Sequence, residues 1–104
     1  MKRNTTIARD INKKFPPTSP EYPICYTQDD QVFVSAESTA VYKEKLPLED
    51  GTVEEFVTNA VVADYYGEFR GGYPWIEPWL ENYAELLECY WEWQNAGAIV
   101  LVTK

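Results

Sequence analysis

Four glutamates, Glu77, Glu81, Glu85 and Glu88, recur at helical spacing in a stretch that holds no base between Arg70 and Lys104. At 100° per residue they gather on one flank of a helix. Carboxylates could work as a pair in glycoside hydrolysis, or meet basic groups on another molecule. The rest of the chain narrows these options. It has no histidine, which removes Ser-His-Asp and Cys-His catalysis and imidazole metal sites. Zinc would have to rely on two distant cysteines, Cys25 and Cys89, with carboxylates. Asp29-Asp30 lacks the spaced oxygen ligands of a calcium loop. No metal and no cofactor is expected. Any acidic sequence supplies carboxylate pairs, so a carboxylate-dependent carbohydrate-active enzyme is the least favoured reading, and no enzymatic activity is expected.

Charge is unevenly spread. The formal net charge is −8 over 104 residues. Lys2, Arg3, Arg9, Lys13 and Lys14 face only Asp10 within residues 1–14, which leaves all the negative excess in residues 15–104. From Glu49 to Glu92 there are eleven acids and one base, Arg70. A charge of this size serves solubility in many small proteins. It also repels nucleic acid and attracts basic protein surfaces. Direct nucleic-acid binding is therefore not expected, although the basic arm alone could touch phosphates. No apolar run has the ~20 residues of a membrane-spanning helix, and the polar residues after Met1-Lys2-Arg3 do not resemble a secretory signal. A cytoplasmic protein with buried, reduced cysteines is expected.

The elements that must position the glutamates follow from periodicity. Ile76, Trp79, Leu80, Tyr83, Leu86 and Leu87 share one side of a helix over about 76–88. Pro78 fits only its first turn. A hairpin follows, Cys89–Gln94 with Ala98–Thr103, around a three-residue Asn95-Ala96-Gly97 loop with Gly97 left-handed. Ala98 to Val102 is apolar at every position, as in a central strand. Upstream, Ile24–Thr27 and Val32–Val34 flank a turn at Gln28–Gln31, and Thr39–Tyr42 can return as a third strand of a meander before Leu46-Pro47-Leu48 breaks the sheet. Thr52 and Glu55 form a capping-box pair, and Val53, Phe56, Val57, Ala60 and Val61 recur as the face of a second major helix. That helix would set Asp64 on its apolar side, so either it turns away before Asp64 or Asp64 is paired, with Arg70 the nearby cation, and it would end at the Gly67–Gly72 stretch. The glycines there lack the spacing of a phosphate-binding loop. Asn4-Thr5-Thr6 can cap a short N-terminal helix ending near Phe15, before Pro16-Pro17.

The expected fold is thus α+β. A single domain over 21–104 would carry an antiparallel sheet, meander plus C-terminal hairpin, against two main helices. Residues 1–20 would form a basic arm, with a short helix and a proline-rich linker, outside the main core. Small size, dense acids and many aromatics fit a protein that blocks a basic partner, a nuclease or nucleic-acid-binding protein. Two settings share this physics: a phage or mobile-element inhibitor of a defence nuclease (restriction or CRISPR), and an immunity protein for a nuclease toxin. Glu77, Glu81, Glu85 and Glu88, joined by Glu54, Glu55, Glu68 and Glu92, are the expected partner-binding residues. Duplex DNA carries a charge about every 1.7 Å of axis, whereas glutamates four apart on a helix repeat about every 6 Å. Even partial DNA mimicry therefore needs all eight to meet in space. The alternative is a structural or adaptor subunit whose exposed aromatics mark an interface.

Overall fold

The computed structural model describes residues 2–67 and 74–104, apart from the side chain of Leu46. The chain is a small α+β domain, with two helices and antiparallel strand pairing among the described residues. In order, its elements are α1 (Asn4–Lys14), β1 (Cys25–Gln28), β2 (Gln31–Ser35), β3 (Thr39–Pro47), β4 (Val53–Val61), β5 (Ala63–Asp64), β6 (Trp75–Ile76), α2 (Pro78–Leu86), β7 (Cys89–Asn95) and β8 (Ala98–Thr103).

The main sheet has the order β1-β2-β8-β7. β8 is internal, as its unbroken apolar run predicts. The hairpin β1–β2 turns through Asp29 and Asp30, both at positive φ (51° and 63°). Short acidic side chains tolerate that region better than most residues. The β7–β8 hairpin is present but closes differently from expectation. Asn95 pairs with Ala98 after a bulge beyond Trp93, and its side-chain oxygen accepts from Gly97 N at 2.8 Å. Gly97 does not take a positive φ.

α1 packs on β1 and β2. Ile7, Ile11 and Phe15 are fully buried in the same cluster as Ile24, Val34, Leu80 and Ile99. The N-terminal helix therefore belongs to the core, contrary to the expectation of a separate arm. Its start is not capped by a side chain; Asn4 instead donates to the Asp30 carbonyl at 3.0 Å. Asn12 fixes the helix to the sheet by bonding both the N–H and the carbonyl of Cys25, each at 2.8 Å. Phe15 meets Tyr42 and Trp79 edge-on at 5.0 and 5.6 Å, so one ring joins α1, β3 and α2. Cys25 and Cys89 are buried thiols, and burial pushes Cys25 up to about 12.

The largest correction concerns residues 39–61. They form no third strand of a meander and no second helix. β3 pairs with β4 along its whole length, from Thr39 opposite Val61 to Pro47 opposite Val53. Leu46-Pro47 does not break the strand. The turn explains why. Gly51 sits at φ +86°, and Asp50 Oδ1 accepts from Thr52 N (3.0 Å) and from its hydroxyl (2.6 Å). An Asp-Gly pair ahead of a strand rich in β-branched residues closes a hairpin here, and Thr52 is a turn residue rather than a helix cap.

Candidate functional site

Among the described residues, backbone hydrogen bonds tie the ribbon β3–β4 to the body at its base. Val41 N donates to the Pro16 carbonyl (2.9 Å) and Thr18 N to the Thr39 carbonyl (3.0 Å). The buried Tyr42 hydroxyl donates to the Val61 carbonyl (2.9 Å) and meets Glu44 Oε1 at 3.1 Å. β3 and β4 pack chiefly on each other, and the molecule measures 46 Å along its longest axis. Apolar residues on this ribbon face outward: Val57 is 66% exposed and Val53 59%, with Leu48, Phe56 and Val41 also exposed. Around its tip Glu49, Asp50, Glu54 and Glu55 are all exposed. Lys45 lies directly across from Glu55. Successive strand residues point to opposite faces, so Glu54 and Glu55 present charge on both sides of the ribbon.

α2 positions the other carboxylates. It begins at Pro78, two residues later than the periodicity suggests, because Ile76 and Trp75 pair as β6 with Ala63 and Asp64. Glu77 N donates to the Val62 carbonyl at 2.9 Å. This fixes Glu77 as the N-cap, where its carboxylate accepts from Trp79 N at 2.7 Å. Glu77 is half-buried, and burial raises its pKa against the opposing pull of that N–H. It acts as a helix cap and not as a member of a solvated edge. Glu81 and Glu85 are exposed one turn apart, and Glu85 is bridged to Lys104 at 2.8 Å. Glu88 is exposed beyond the helix at φ +58°. Leu86, expected on the apolar stripe, is 83% exposed. Trp79 and Tyr83 face inward, stacked at 4.9 Å. Tyr83 also donates to Asp10 Oδ2 (2.9 Å), which Lys2 contacts at the same distance.

Glu92 stands apart from the α2 carboxylates. Trp91 turns toward α2 and donates its indole N–H to the Leu80 carbonyl at 2.8 Å. Its strand neighbour Glu92 therefore lies on the opposite face of the sheet. Asp64 is in β5 and accepts from Tyr66 N at 3.1 Å; its expected partner Arg70, like Glu68 and most of the Gly67–Gly72 stretch, lies outside the described residues. Of the eight expected binding residues, the structure gathers Glu81, Glu85 and Glu88 around α2 and sets Glu54 and Glu55 on the ribbon. Sequence reasoning missed the exposed valines and Phe56. The Asp50-Gly51 pair was the signal that could have found them.

Between the ribbon and the start of α2 lies an open cleft of about 640 Å³. Lys14, Lys43 and Lys45 line it together with Phe56, Trp75 and Trp79. Lys14 places its ammonium 5.9 Å from the centre of the Trp79 ring. Among the described residues no three Asp, Glu or Cys side chains gather closely enough to hold a metal ion, and no helix is long and apolar enough to cross a membrane. Comparison with protein-family models, with curated proteins and with solved structures finds no match.

Proposed function

We propose that this is a small cytoplasmic binding protein that occupies a basic surface of a nucleic-acid-handling protein and blocks it. The biological settings are those already named, a phage or mobile-element inhibitor of a defence nuclease or a nuclease-toxin immunity protein. One observation carries the reading: the ribbon leaves Val53, Val57 and Phe56 exposed and bears Glu49, Asp50, Glu54 and Glu55 around its tip, with Lys43 and Lys45 across from Val57 and Glu55. Exposed apolar side chains supply contact area, and rim carboxylates steer a basic partner and speed encounter. Glu81, Glu85 and Glu88 add to the same field. Since Glu77 is a cap and Glu92 faces elsewhere, the support is for charge steering rather than for an axial imitation of DNA.

The test is capture of the partner from the native host with the intact chain and with a Val53→Ser/Val57→Ser variant. The expected outcome is a basic nuclease or nucleic-acid-binding protein whose activity is inhibited, whose capture collapses with added salt, and which the variant fails to hold. A captured protein that is acidic, or held equally at high salt, contradicts the reading. The same exposed ribbon favours one second reading, a structural or adaptor subunit. Light scattering on the purified chain separates the two, because a stable self-assembly fits the subunit and a monomer fits the inhibitor.

A further inference from the structure

The cleft beside the ribbon runs along a strand edge that no other described residue covers with backbone hydrogen bonds. Two bonds fix the direction of β3. Thr39 and Val41 turn their backbone groups outward, toward residues 16–18, and Pro17 bridges Ala40 in antiparallel fashion. The β3–β4 register continues without a shift to Pro47. Backbone groups alternate between the two sides of a strand. The N–H and carbonyl groups of Lys43 and Lys45 therefore point outward as well. Residues 16–18 have ended by then, and among the described residues no backbone partner meets Lys43 or Lys45 on that side. Lys43, Glu44 and Lys45 line the cleft in succession, as expected where a cleft follows an edge rather than a face.

We propose that this edge is a peptide-docking site, which takes an extended segment of a partner protein with alternating acidic and apolar residues as an added strand. Strand addition satisfies the open backbone groups, and the side pockets select the sequence. An added strand sends alternate side chains to opposite faces. One set meets Phe56, Trp75 and Trp79, which asks for apolar residues. The other meets Lys43 and Lys45, of which Lys45 already has Glu55 across from it, and this asks for acids, most strongly beside Lys43; Lys14, over Trp79, adds positive charge on the first side. The two acids of the cleft are already engaged: Glu77 by Trp79 N, and Glu44 by the Tyr42 hydroxyl. Lysine on a free edge opposes neutral or basic strands, so these lysines make the edge selective. The site adjoins the acidic ribbon tip, sharing Phe56 with it and setting Lys45 across from Glu55, but it does not depend on the function proposed above.

The test uses the full chain and a fluorescent nine-residue peptide alternating Glu and Val. Anisotropy titration should show saturable binding, accompanied by a change in tryptophan emission. Hydrogen exchange should show the Lys43 and Lys45 amides, fast in the free protein, becoming protected. A Lys43→Glu/Lys45→Glu double variant should weaken binding by more than about tenfold, since two attractive charges become repulsive. Both side chains are exposed, and the circular dichroism of the variant checks its fold. A peptide with Lys in place of Glu, and one N-methylated along its bonding edge, should both fail. Absence of binding at millimolar peptide, equal binding of the N-methylated or lysine peptide, or unprotected Lys43 and Lys45 amides in the complex would each overturn the proposal. So would protection of those amides on concentrating the protein alone, which would make a second copy the occupant.

Discussion

Two phenylalanines show how differently the body and the ribbon use apolar residues. Phe15 is fully buried and touches rings from two other elements. Phe56 is 41% exposed on a two-stranded ribbon beside an open cleft. The body, α1, α2 and the β1-β2-β8-β7 sheet, places Ile7, Ile11, Ile24, Leu80 and Ile99 wholly out of water. The outer ribbon leaves Val53 and Val57 in it. Burial of a large apolar side chain stabilises by roughly 1.5–3 kcal/mol, and the outer ribbon forgoes most of that. A segment that adds little to the fold yet keeps its apolar surface is better explained by contact with something else.

The sharpest break in this comparison is by truncation. Phe15→Ala should destabilise the protein by about 3–5 kcal/mol, as for other buried aromatics. Val57→Thr should stay within about 0.5 kcal/mol, as for an exposed position that keeps its β-branch. Denaturant melts of the two variants measure this directly; a large loss from Val57→Thr would move the ribbon into the body. Gly51→Ala should cost about 1–2 kcal/mol of ribbon stability through the positive φ alone, because nothing lies within 4 Å of the added methyl. Amide exchange along β3 and β4 should speed up while that of β8 stays as it was.

How much was legible depended on whether a segment has one wet face. β7, the β1–β2 hairpin and α2 each bury one side and expose the other, so their periods stand out in the sequence, while β8 shows itself by an unbroken apolar run. β4 does not. An outer ribbon exposed on both faces has no period of two to display. Val53, Phe56, Val57, Ala60 and Val61 then match a helical stripe by coincidence, and Thr52 with Glu55 completes a false capping box. The β-branched content and the Asp-Gly turn pointed the other way. The basic composition of residues 1–14 hid the role of α1, because its three core anchors, Ile7, Ile11 and Phe15, are spaced four apart among charges. For the candidate site, the helical spacing of Glu81 and Glu85 was readable. The capture of Glu77 as a cap was not, since it depends on the β5–β6 pairing that delays the helix start.

Two carboxylates extend the comparison to pH. Glu77 has a raised native pKa because it is partly buried. The native state then holds its proton more tightly than the unfolded chain. Its favourable contribution is complete below the ordinary glutamate value and is lost as pH rises through the raised one. Glu77→Gln, which keeps an acceptor for the cap, should remove that decline. Asp10 runs the other way. Hydrogen bonds from Lys2 and Tyr83 lower its pKa, so its contribution is present above the ordinary aspartate value and fades as pH falls through the lowered one. Thermal melts across the acid range, with Glu77→Gln and Asp10→Asn, should show opposite changes in slope. The smallest effect belongs to Glu85→Gln. It breaks an exposed bridge to Lys104 and should shift stability by less than about 0.5 kcal/mol.

The central claim is that the acidic ribbon serves contact and not folding. Its most direct test is the association rate of the captured partner with a Glu49→Gln/Glu54→Gln/Glu55→Gln variant, followed by stopped flow at low and high salt. Rim charges act mainly on the on-rate. The predicted result is an unchanged melt, slower association at low salt, and a flatter salt dependence than for the wild-type chain. An unchanged on-rate at low salt, with the variant fully folded, would contradict the claim.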